Sequence, residues 1–146
     1  LRSAVLKMRV EMARHKPPAG PLDVKLLRGG LVDLEFLTHF MQLREGGGPD
    51  GAFLTPDLRA AVAALGRAGL VPSELVDAHD LLTRLLVSLR LVAPDTGELP
   101  DAARAVLVAN ALGGEGDWEV LLAALDKARH AVAEAWAEIF GETLEL

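Results

Sequence analysis

The chain has 146 residues, a formal net charge of −6, 51% hydrophobic residues, 4% aromatic residues and no cysteine. That length suits one domain with a sizeable core, and the missing cysteine excludes a disulfide scaffold, a thiolate zinc site and a cysteine nucleophile. The negative balance argues against a general nucleic-acid binder, and Leu81–Ala93, the most apolar long stretch, is broken by Arg84 and Arg90, short of the roughly 20 apolar residues a membrane span needs.

In chain order, Leu1 to about His15 reads as a first helix, with Val5, Met8 and Met12 on one stripe beside Leu1 and Leu6. Pro17, Pro18, Gly20 and Pro21 end it. Residues 22–27 alternate partially and predict an extended, strand-like piece, before Arg28-Gly29-Gly30 makes a sharp turn. A second helix is predicted from Leu31 to Arg44, followed by the glycine-rich loop 46–51. Thr55 is the expected N-cap of a third helix with Pro56 in its first position and Gly69 at its end. A fourth helix runs from Pro72 to Val92, with Leu75, Leu82, Leu85, Leu86 and Leu89 on a broad apolar face. After a loop containing Asp95-Thr96-Gly97, a fifth helix spans Asp101–Leu112 and is closed by Gly113-Gly114. Asp117 is the expected cap of the last helix, Trp118–Phe140, which Gly141 ends; Trp118 and Trp136 are expected core anchors on its apolar stripe.

Leu and Ala supply 51 residues against 19 of Val, Ile and Thr, which favours helix over sheet. Short loops make sequential helices pack against each other in opposite directions. The predicted fold is therefore all-α, an antiparallel bundle of about five to six helices. The first fifteen residues are basic but have no continuous apolar segment, unlike a secretory signal. The start at Leu1 rather than Met suggests a domain cut from a longer protein. It would be a single helical domain over residues 1–146, with 1–30 as basic helix and connector and 31–146 as the bundle. Charge is uneven: residues 1–30 hold seven basic and two acidic groups, and residues 95–146 hold three basic and eleven acidic. Solvated helix faces explain this simply; a basic start facing an anionic ligand or an acidic neighbouring domain is the sharper alternative.

The unusual stretch is 23–42. On a helical wheel Glu35, Thr38, His39 and Gln42 form an ordinary polar face, whereas Asp33 falls between Phe36, Leu37 and Phe40. Asp33 can be explained locally, as a first-turn carboxylate that accepts free N–H groups and favours the helix dipole. It can also be an ion pair or a polar contact at a domain seam, with Lys25 or Arg28 as partner, because burying an unpaired carboxylate is costly. Asp33 and Glu35 point to nearly opposite sides and do not form a catalytic pair. The two glycines serve a tight turn, or let backbone N–H groups approach an anion at a helix start, where Lys25 and Arg28 would suit phosphate. No phosphate-loop or dinucleotide fingerprint is present. His15, His39, His79 and His130 are scattered without metal-ligand spacing. No serine has a nucleophile setting. The residues alone describe a helical domain with no self-contained active site: no catalytic residue and no metal ligand.

Asp23-Val24-Lys25, followed by Gly29-Gly30-Leu31-Val32-Asp33-Leu34-Glu35-Phe36-Leu37, resembles the glutamine synthetase adenylyltransferase family. These bifunctional bacterial enzymes have two nucleotidyltransferase domains, each followed by a helical domain of a kind shared with PII uridylyltransferases. Three features resemble the second half: the Val32-Asp33 form of the motif, the helix from Leu82-Thr83-Arg84 to Leu89-Arg90, and the stop soon after a Trp-containing helix. The resemblance is strong over residues 1–93 and loose over 94–146. His39 stands where the family usually has Gln, and Leu86 where it often has an aromatic residue.

The resemblance implies a parent enzyme that transfers AMP from ATP to a tyrosine of glutamine synthetase and removes it by phosphorolysis, with PII protein and glutamine as signals. ATP and Mg²⁺ would be held by carboxylates of an upstream nucleotidyltransferase domain. This chain would hold no cofactor itself and would be inactive alone. It would be cytoplasmic, packing beside the catalytic domain and helping to recognise glutamine synthetase, with no role for nucleic acid or membrane. Lys25, Arg28, Gly29, Gly30, Asp33 and Glu35 are the candidate nucleotide or domain-interface residues. The alternatives are the equivalent domain of a uridylyltransferase and a free-standing helical interaction module.

Overall fold

Six α-helices and one 3-10 turn account for the regular structure in a computed structural model that describes residues 1–93 and 99–146. The helices are α1 (Arg2–His15), α2 (Leu31–Glu45), α3 (Leu58–Arg67), α4 (Glu74–Val92), α5 (Asp101–Leu112) and α6 (Trp118–Phe140), with the 3-10 turn at Pro49–Gly51. No strand occurs among the described residues, and the chain is an all-α helical bundle. No described helix is long and apolar enough to cross a membrane. The predicted Asp95-Thr96-Gly97 loop lies outside the described residues.

The long apolar faces of α4 and α6 form the centre of the bundle. Leu75, Leu82 and Leu85 of α4 and Leu121, Leu125, Val132 and Trp136 of α6 are buried there. Helix α2 adds Leu34, Leu37, Phe40 and Met41 to the same core. Phe40, Phe140 and Trp136 stack in series, with centroids 4.8 Å and 4.4 Å apart in tilted arrangements that suit the ring quadrupoles. Trp136 is a core anchor as expected. Trp118 is only half-buried, and the Arg104 guanidinium lies over its ring, 4.9 Å from the centroid, so it sits at the rim of the core.

The helix ends follow local chemistry. Asp117 caps α6 by accepting the Val120 N–H at 3.0 Å, as expected. Left-handed glycines stop α5 and α6, at Gly113 and Gly141. The cap of α3 differs from expectation: Asp57, not Thr55, accepts the Ala60 N–H at 2.8 Å. Thr55 instead accepts the Asp57 N–H through its hydroxyl, leaving Pro56 ahead of the helix.

Three expectations about the first forty residues are corrected. Residues 22–27 are not extended. The Asp23 carbonyl accepts from Leu26 and Leu27, and its carboxylate accepts from Ala19 and Leu26, which closes a compact turn. On α1, Met8 faces outward at 58% exposure while Arg9 is buried, so the inward stripe is Val5, Arg9 and Met12. Thr38, expected on a polar face, is fully buried and donates its hydroxyl to the Leu34 carbonyl at 2.7 Å. Glu35 and His39 do lie on the exposed side of α2.

Candidate functional site at the Gly29-Gly30 turn

The turn that feeds α2 is held by its own backbone. Leu31 and Val32 donate N–H bonds to Val24 and Lys25 at 2.9 and 3.1 Å, and Gly30 donates to Leu27 at 2.9 Å. The compact 23–27 turn is thereby clamped against the start of the helix. Both glycines are required by close approach. Gly29 has φ +74°, and a Cβ there would stand 2.6 Å from the Arg129 carbonyl oxygen on α6. A Cβ on Gly30 would stand 2.4 Å from the Val24 carbonyl oxygen. The space that glycine frees is therefore filled by other backbone.

Asp33 sits in the first turn of α2 with no solvent exposure. Its carboxylate accepts the Gly29 N–H at 2.7 Å and pairs with the Arg9 guanidinium through Nε and Nη2. Arg9 also donates to the Leu26 carbonyl at 3.3 Å. Both alternatives for Asp33 thus hold in part: it accepts a local N–H and it forms an ion pair. The partner is Arg9 of α1, not Lys25 or Arg28. Arg9 is only 2% exposed, so each charge depends on the other for compensation.

Lys25 is exposed and Arg28 is half-buried. Burial and the like charge of Arg9 push the Arg28 guanidinium below its ordinary value, while Asp33 pulls it back; it stays charged at neutral pH. Arg129 of α6 donates its Nε to the Arg28 carbonyl at 2.9 Å, tying the turn to the last helix. Glu35 is exposed on α2. The six candidate residues therefore divide: Gly29, Gly30 and Asp33 face inward and build the turn, while Lys25, Arg28 and Glu35 retain access to a partner. The Gly29, Gly30, Leu31 and Val32 amides are all taken within the chain, so an anion here would meet side chains rather than these N–H groups.

Arg9 and Arg129 were not among the candidates, although each carried a signal. Arg9 follows Val5 by four residues and precedes Met12 by three, and Arg129 stands in the same relation to Leu125 and Val132. A cation on an apolar stripe implies a buried acceptor. Among the described residues no group of three or more His, Asp or Glu is placed to hold a metal ion.

A family model for the GlnD PII-uridylyltransferase matches residues 4–140 of the chain. The chain belongs to this family. It is also similar to bifunctional glutamine synthetase adenylyltransferase/adenylyl-removing enzymes. Identity to the enzyme of Caulobacter vibrioides is 35% over 141 residues, covering 92% of this chain and 14% of the relative. The enzyme of Ralstonia nicotianae shows 31% over 125 residues, 82% of this chain and 13% of the relative. That of Hahella chejuensis shows 33% over 129 residues, 84% and 13%. The chain thus corresponds to one partial region of these adenylyltransferases, spanning about a seventh of their length. No solved structure matches it.

Proposed function

We propose that the chain is the helical accessory domain of a glutamine synthetase adenylyltransferase, an enzyme that moves AMP from ATP to a glutamine synthetase tyrosine. The observation that carries this reading is the 35% identity over 92% of the chain to an enzyme so named. In this reading ATP and Mg²⁺ bind in a nucleotidyltransferase domain elsewhere in a longer, cytoplasmic bacterial protein. The inward residues Arg9, Asp33, Gly29 and Gly30 hold the turn rigid. The outward residues Lys25, Arg28 and Glu35 meet the neighbouring catalytic domain or its nucleotide and complete one wall of the cleft. Electrostatic preorganisation of that kind requires a fixed scaffold, which the buried ion pair supplies. Glutamine synthetase is the macromolecular substrate, and PII protein is a regulatory partner.

The test is AMP transfer from labelled ATP with Mg²⁺ to glutamine synthetase. This chain is compared with the longer parent protein. Transfer by the parent only is the expected result; transfer by the 146-residue chain alone would overturn the accessory reading. In the parent, Lys25→Ala, which leaves the buried turn intact, should lower transfer more than Glu145→Ala, and equal activity of the two would remove function from this corner. The family model favours a second reading, the same domain in a PII uridylyltransferase. Transfer from labelled UTP to PII protein, with none from ATP to glutamine synthetase, would select it.

A further inference from the structure

We infer that Leu146, seated beside the core residue Leu144, is a positioning residue for the motif corner: it fixes Gly29, and through Gly29 the direction of Arg28. This role deepens the proposed function, and only its activity readout rests on that reading.

Arg28 is joined to the rest of the motif through Gly29, which has φ +74° and no side chain. The torsions of a glycine hold its neighbour in no particular direction, so the surroundings must do so. Two restraints are polar. Asp33 accepts the Gly29 N–H at 2.7 Å, and Arg129 donates to the Arg28 carbonyl at 2.9 Å. The third is apolar. The Cδ2 of Leu146 lies 3.0 Å from where a Gly29 Cβ would stand, on the side where the Arg129 carbonyl oxygen also meets it. Leu146 thus packs where Gly29 lacks a side chain of its own and helps to bury it.

The segment that carries Leu146 is suited to this one contact. After the left-handed Gly141, residues 142–146 form no helix, and their amides bond to no other backbone among the described residues. Their anchorage is in the leucines. Leu144 is 9% exposed and belongs to the core, Leu146 meets Gly29, and Thr143 and Glu145 between them are exposed. That alternation is the pattern of an extended segment with both leucines on one side. Leu146 itself is 44% exposed, so it can be replaced without opening the core, and its hold on the turn is separable from the stability of the bundle.

Amide hydrogen exchange, followed by NMR on this chain, reads the turn directly. In Leu146→Ser, exchange at Gly29, Gly30 and Leu31 should quicken at least tenfold, while Leu65 of α3 and the urea midpoint keep the parent's values. Leu146→Met keeps an apolar side chain of similar volume and should restore the parent's rates. Glu145→Gln, exposed one residue away, should leave them unchanged. Unchanged exchange at the three turn amides in Leu146→Ser would overturn the inference. So would an equal rise at Leu65, which would report a general loss of stability. In the longer parent protein, Leu146→Ser should lower kcat/KM for AMP transfer severalfold and Leu146→Met should recover it. Full transfer by Leu146→Ser, in a parent that does transfer AMP, would overturn the positioning role. A parent with no transfer at all would sink the accessory-domain reading instead, and the exchange rates would still decide whether Leu146 fixes the turn.

Discussion

Replacing Asp33 with alanine tests whether the buried pair holds α1 against the start of α2. The substitution removes the one carboxylate paired with Arg9 among the described residues, and Arg9 is 2% exposed on α1. A buried ion stripped of its partner costs about 3–5 kcal/mol. The Gly29 N–H also loses its acceptor, a desolvation cost of about 1–3 kcal/mol that overlaps the first because the same turn relaxes in both. Against a total stability of about 5–15 kcal/mol for a domain, Asp33→Ala should remove about a fifth or more. With a urea slope of about 2 kcal/mol per molar, the midpoint should fall by about 2 M. Far-UV circular dichroism in urea measures it. A companion variant decides the cause. Arg9→Met combined with Asp33→Asn removes both charges, nearly keeps volume and leaves an amide oxygen for the Gly29 N–H, so it should recover most of the loss. A fall below 1 kcal/mol in Asp33→Ala, or a double variant no better than the single one, would refute the ion-pair argument.

Gly29→Ala and Gly30→Ala should each destabilise by about 2 kcal/mol or more, since the new methyl meets backbone oxygen at 2.6 or 2.4 Å. Gly20→Ala, with nothing within 4 Å, should stay within about 0.5 kcal/mol of the parent in the same urea assay. Asp117→Ala should cost about 1 kcal/mol by freeing the Val120 N–H, read as a lower thermal midpoint. The hydrogen bond from Arg59 holds the Asp80 carboxyl below its ordinary range. Its contribution is therefore complete above the unfolded aspartate value, near pH 4, and is lost as pH falls through the folded one. The pair is largely exposed, so Asp80→Asn should cost little at pH 7, and the gap between the two proteins should close in urea titrations as pH falls through the folded aspartate value.

Helix existence was legible because it depends on short-range pattern. The Leu–Ala excess, the Asp117 cap and the glycines at 113 and 141 all act within a turn of their own position. The motif from Asp23 to Leu37 was legible as a unit for a different reason: its residue types are unusual together. Its internal wiring was not legible. Asp33 is paired with a residue 24 positions earlier, and Arg28 is tied to one 101 positions later. Periodicity assigns arginine to the solvent side by default, so Arg9 was displaced by Met8 on the expected stripe. The strand-like reading of residues 22–27 failed through length. Six residues of weak alternation do not outweigh an aspartate whose carboxylate can bond the amide three residues on. Thr55 lost the α3 cap to Asp57 by register: Asp57 lies three residues before the Ala60 amide, the spacing a cap requires.

The division of the motif into inward and outward residues separates stability from function. Gly29, Gly30 and Asp33 are consumed by contacts inside the chain, so their substitution damages the fold and any activity together. Their loss of activity would say little about chemistry. Lys25 and Glu35 are exposed, and Arg28 donates no hydrogen bond within the described structure. Substituting them leaves the scaffold standing, so an effect on transfer would report contact with something outside this chain. The motif therefore combines a buried scaffold with side chains that stand clear of it. Arg9 and Arg129 belong to the scaffold through Asp33 and the Arg28 carbonyl, which is why α1 and α6, at opposite ends of the sequence, meet the same short turn.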